Sequence, residues 1–124
     1  MYHNHDFEWE KYGNKRMIEY LQDEFPQIGF ILDTYWVQAA GGDSAAWLTK
    51  LSGRIPVIHF KDMSWFNNSR RMAEVMEGNL NWPAIFAACG PAGVEYAMVE
   101  QDDCNGKDPF EALRTSFNNL KGVL

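Results

Sequence analysis

The apolar residues of this chain fall into two alternating spacings. Compact apolar runs with no polar alternation, the pattern of strands covered on both faces, occur in "IGFILD" (28–33), "IPVIHFKD" (55–62) and "VEYAMVEQDD" (94–103). Between them, apolar positions recur at helical spacing. "KRMIEYLQDEF" places Met17, Ile18, Leu21 and Phe25 on one face and stops at Pro26. "GDSAAWLTKLSG" predicts a helix with Asp43 or Ser44 as cap, apolar Ala46, Trp47, Leu48 and Leu51, and Gly53 just past its end. "LNWPAIFAACGPAG" predicts another, capped by Asn81, with Pro83 in its first turn and Ile85, Phe86 and Cys89 as its stripe. "DPFEALRTSFNNLKGVL" closes the chain as a helix capped by Asp108, with Pro109 in the first turn and Phe110, Leu113, Phe117 and Leu120 on one face. Residues from Ser64 to about Arg71 read as a polar loop.

With "YHNH" as the first strand, the order is β-α-β-α-β-α-β-α, which implies an α/β fold built on a parallel sheet. Each strand ends in residues able to do chemistry: "YHNHD", "LD", "IHFKD" and "VEQDD". Loops after strand C-termini line the ligand site in parallel α/β architectures, so these ends are expected to meet on one rim. His3 or His5, Asp33, His59 and Glu100 then supply nitrogen and oxygen donors suited to a divalent ion such as Mn, Co, Zn or Mg. His3 and His5 point to the same side of their strand, so either can enter the site.

Each of these residues also has an ordinary structural reading. A buried Asp33 at a strand end serves as a helix cap or the partner of a lysine, and His59 between Ile58 and Phe60 as a hydrogen-bonded core histidine. Glu100 and Asp102 read as rim charges, Lys61 as a solvated head or the partner of Asp62, and the aromatic pairs at 35–36 and 65–66 as rim packing. Repetition at four successive strand ends is what raises the group above these readings.

Composition narrows the class. The 124 residues are 46% hydrophobic and 15% aromatic, enough for one packed core. A net charge of −6, with no basic cluster longer than Arg70–Arg71, argues against nucleic acid as a partner and leaves a small soluble ligand. Cys89 and Cys104 form neither a disulfide framework nor a C-x-x-C pair, the N-terminus is polar and acidic, and no run is long enough to span a bilayer. A cytoplasmic protein off the membrane is expected.

The motifs also resemble a known family, the xylose isomerase-like superfamily of sugar phosphate isomerases and epimerases, which are TIM barrels. "YHNHDFEW" resembles that family's "YHNHDFEF" segment, the stretch from "ILDTYW" to "IHFKD" is similar to its sixth and seventh strands, and "EGNLNWPAIFAACGPAGVEYAMVEQDD" to its last β-α-β stretch. The resemblance implies that residues 1–124 form one partial barrel domain, the C-terminal half of a TIM barrel, equivalent to strands five to eight. It further implies a metal held by Asp33, His59 and Glu100, with His3 standing where family members with "L-E-N-H" carry a glutamate. His5 and Glu100 become candidate proton carriers, and Lys61, Glu77 and Trp36 candidate contacts to a sugar or sugar phosphate. The implied activity is metal-dependent isomerisation or epimerisation, with dehydration of a keto-sugar or keto-inositol and a silent binding or assembly module as alternatives. Half a barrel has open edges and a bare inner face, so a homodimer is expected.

Overall fold

Short apolar runs joined by amphipathic segments fold here into a parallel sheet layered with helices. The computed structural model describes residues 1–123. Along the chain come β1 (Tyr2–His3), a 3-10 turn at Phe7–Trp9, β2 (Lys11–Tyr12), β3 (Lys15–Arg16), α1 (Met17–Glu24), β4 (Phe30–Asp33) and α2 (Thr34–Ala39). There follow α3 (Ser44–Lys50), β5 (Val57–Phe60), β6 (Asp62–Phe66), β7 (Ser69–Ala73), α4 (Trp82–Ala92), β8 (Tyr96–Val99) and α5 (Pro109–Lys121). The main sheet runs β1-β4-β5-β8 with every neighbouring pair parallel, as the β-α alternation predicts. No helix among the described residues is long and apolar enough to cross a membrane.

Strand alternation divides this sheet into two unlike faces. Phe30, Leu32, Ile58 and Phe60 point outward and are buried under the helices, where they join Val37, Leu48, Leu51 and Ile85 in one core. Each such side chain contributes about 1.5–3 kcal/mol by leaving water. Ile31, Asp33, Val57 and His59 point inward, in register with one another and with Tyr96 and Met98 of β8. Tyr96 is 62% exposed and Met98 54%, so the inner face is covered least at the β8 edge.

The structure departs from the sequence reading in three places. Residues 64–71 belong to an antiparallel hairpin, β6–β7, rather than a loop, turning at Asn67 and Asn68 with both in the left-handed region. A short helix, α2, starts directly after Asp33, whose side chain accepts from Trp36 N and caps it. On α5, Ala112, Ser116 and Leu120 are buried, whereas Phe110, Leu113 and Phe117 are exposed, so most of the predicted apolar stripe faces away from the core. Ser116 Oγ accepts from Val75 N at 3.0 Å, and Asn119 Nδ2 donates to Val75 O at 2.9 Å. These bonds tie α5 to the segment before α4 and rotate its stripe toward the sheet edge.

Candidate metal centre

Four adjacent parallel strands deliver one donor each to the same point. His3 ends β1, Asp33 ends β4, His59 lies one residue from the end of β5, and Glu100 follows β8 directly. One ligand atom from each lies within 4.8 Å of all the others. Asp33 is the hub, and its two oxygens have separate tasks. Oδ1 caps α2 at 3.1 Å from Trp36 N, while Oδ2 lies 3.3 Å from His3 Nε2, 3.7 Å from His59 Nδ1 and 3.8 Å from Lys61 Nζ. The Asp33 backbone N–H donates to Asn4 Oδ1 at 2.9 Å, which fixes the end of β4 against β1.

The surroundings explain the electrostatics. Burial pushes the Asp33 carboxyl upward, yet the hydrogen bond from His3, the His59 imidazole and Lys61 hold it below the usual aspartate value. Asp33 and Glu100 in turn raise His59 above an ordinary histidine against the effect of burial, and His59 Nδ1 meets Glu100 Oε2 at 2.7 Å. Lys61 has a buried stem, and burial alone would lower it. Its 2.6 Å bond to Asp102, with Asp33 and Glu100 nearby, raises it instead, so the ammonium stays charged. Three carboxylates thus surround one lysine, leaving an excess of negative charge that favours a further cation. Two imidazole nitrogens and two carboxylate oxygens are donors suited to a first-row divalent ion, and their mutual separations fit metal–ligand bonds of about 2.0–2.2 Å after small side-chain adjustments.

Over residues 1–121 the chain matches the sequence profile of the xylose isomerase-like TIM barrel family. The chain belongs to that family. It is similar to a sugar phosphate isomerase/epimerase from Parabacteroides distasonis, with a TM-score of 0.76 and 28% identity over 98% of this chain and 44% of that one. Another sugar phosphate isomerase/epimerase from the same organism gives a TM-score of 0.76 at 24% identity, over 97% of this chain and 44% of that one. A xylose isomerase domain protein from Planctomyces limnophilus gives 0.66 at 16% identity, over 97% of this chain and 42% of that one. The latter two likenesses show the fold alone. No curated protein matches the chain in sequence. The chain spans less than half the length of these structures and supplies four consecutive strands of a barrel type that closes with eight.

Within this family member, the structure brings together His3, Asp33, His59, Glu100 and Lys61, with Trp36 and His5 beside them. The His5 ring lies 4.8 Å from that of His3 and 5.4 Å from Trp36, and Lys61 Nζ sits 5.3 Å over the Trp36 ring. Of the two histidines left open by the sequence, His3 supplies the clustered donor. Glu77 lies elsewhere: it accepts from Asn119 Nδ2 at 2.8 Å and lines a separate polar recess with Arg71 and Lys107. The sequence reading missed Asn4 and Glu8. Glu8 is fully buried, accepting from the Tyr2 hydroxyl at 2.8 Å and His5 N at 2.9 Å, and so sets the path of the histidine segment. The signal for Asn4 was present, since a polar residue between two inward histidines must point into the opposite, buried side.

Proposed function

We propose that the cluster binds one divalent cation and serves proton transfer in a sugar or sugar phosphate isomerase/epimerase. The observation that carries this reading is the convergence of His3, Asp33, His59 and Glu100 within 4.8 Å from four successive strand ends. These four residues would hold the ion; when bound, it polarises a substrate carbonyl and the adjacent hydroxyl. The remaining work falls to the chain. Lys61, fixed by Asp102, offers its ammonium to a substrate oxygen, and the half-buried Trp36 indole walls the site as a flat face for a sugar ring. His5 is exposed beside His3 and outside the donor set, and Glu100 has a partly exposed side chain. They are the two groups placed to take a proton from the carbon next to the carbonyl and return it.

Elemental analysis and calorimetric titration with Mn2+ and with Zn2+ test the reading. The expected result is about one ion per chain, with binding at least about tenfold weaker in Asp33→Ala. Equal metal content in both proteins would overturn it. The exposed inner face of β8 favours a second reading, a silent binding module: such a protein would bind the ion yet exchange no sugar α-proton with solvent in D2O by NMR.

A further inference from the structure

We infer that the β6–β7 hairpin aims the Lys61 ammonium, and that Asn105 is a positioning residue acting on it through Asp102. The hairpin supplies no member of the donor cluster, yet β7 and the residue after it hold the loop that follows β8 at three points. Asp102 N donates to Met72 Sδ at 3.2 Å, Asn105 Nδ2 to Met72 O at 2.9 Å, and Lys107 Nζ to Glu74 Oε1 at 2.8 Å. Met72 is itself fixed, since it pairs with Met63 of β6 and packs against the core.

The loop needs such a hold. Asp102 accepts from Lys61 Nζ at 2.6 Å, but its side chain is 52% exposed, so burial does not dictate where the carboxylate points. The loop backbone dictates it instead. Asn105 sits at φ 54°, in the left-handed region that asparagine tolerates better than most residues, and its N–H closes on Asp103 Oδ1 at 2.7 Å. Its side-chain amide is thereby turned to β7.

The Lys61 stem is buried and its ammonium has three carboxylates in reach, Asp102 at 2.6 Å, Glu100 at 3.5 Å and Asp33 at 3.8 Å. The last two belong to the donor cluster. Held by Asp102, the ammonium stands back from their oxygens; released, it closes on them and competes with a cation. That competition rests on the proposed ion site, whereas the aiming of Lys61 does not.

Asn105→Gly suits the same backbone, adds no charge and removes the bond to Met72. The Lys61 ammonium cross-peak in proton–nitrogen correlation NMR, which the Asp102 hydrogen bond protects from exchange in the wild type, should be lost in this variant while circular dichroism stays unchanged. Calorimetry should show Mn2+ bound about threefold or more weakly. In Lys61→Met protein the same substitution should change Mn2+ binding by less than about twofold, because no ammonium is left to move. An undisturbed cross-peak would overturn the inference. So would an equal loss of affinity with and without Lys61, the result of a loop that matters only for structure. Wild-type protein that binds no Mn2+ would end the proposed ion site, and the cross-peak alone would then uphold or overturn the aiming of Lys61.

Discussion

Asp33 shows how one side chain serves structure and chemistry together, because its two oxygens face different ways: one caps α2, the other faces two imidazoles and an ammonium. The sequence readings of Asp33 as a helix cap and as a lysine's neighbour both hold, and the same carboxylate belongs to the donor cluster. Lys61 lies 3.5 Å from Glu100 and 3.8 Å from Asp33, so its charge opposes any ion held there. Lys61→Met is expected to tighten Mn2+ binding by about fivefold while lowering turnover, read by calorimetry and kinetics. Weaker binding would refute that role. Asp62 presents the converse case, a buried carboxylate with no basic side chain within 4.0 Å among the described residues. It accepts from Met63 N, Met76 N, Gly78 N and Trp82 Nε1 at 2.7–2.9 Å and organises the segment that anchors α5. Asp62→Ala should cost about 3 kcal/mol or more in urea denaturation, because several buried N–H groups lose their acceptor. A β-carbon at Gly78 would overlap Asp62 Oδ1 and Met63 O, so Gly78→Ala should also destabilise, by about 2 kcal/mol.

Among the elements, helices were legible where caps and periodicity agreed. Asp43, Asn81 and Asp108 accept backbone N–H groups at the starts of α3, α4 and α5, as their spacing indicates. Asp108→Ala should cost about 1 kcal/mol by thermal unfolding. The β6–β7 hairpin was missed although "SWFNNSR" carries aromatic strand formers ahead of an Asn-Asn turn; three polar residues after the turn, Ser69, Arg70 and Arg71, masked the signal. In the two-residue strand β1, the Tyr2 hydroxyl donates to Glu8 at 2.8 Å. Burial, that bond and the Glu8 charge push the Tyr2 phenol up to about 12 from 10.0. A group raised on folding gives its full stabilisation below its unfolded value and loses it as pH climbs through the folded one. Stability should therefore fall between pH 10 and about 12, with a shallower decline in Tyr2→Phe, measured by urea titration at each pH. An identical decline in both proteins would show that Tyr2 does not drive it.

For the whole molecule, a ligand that binds only the folded state stabilises it by an amount that grows with the logarithm of its concentration over its dissociation constant. Mn2+ at about a hundredfold over its dissociation constant should add about 2.7 kcal/mol, visible as a melting temperature several degrees higher and reversed by a chelator. No shift in wild-type protein would count against a folded-state site. The sequence by itself determined the alternation of strands and helices, the parallel sheet and the residues ending each strand. These follow from local periodicity, from caps and from the need of an apolar run to be covered. It also marked Asp33, His59 and Glu100, because chemistry at a strand end repeats in a pattern that one-dimensional reading detects. Tertiary structure alone decided that His3 rather than His5 joins the donors, that Glu77 binds Asn119 away from them, and that the apolar stripe of α5 turns to the β8 edge. Each of these depends on contacts between residues 29 or more positions apart, Asn4 with Asp33, Glu77 with Asn119 and Val75 with Ser116, and no local spacing encodes how such distant pairs set a side chain's direction.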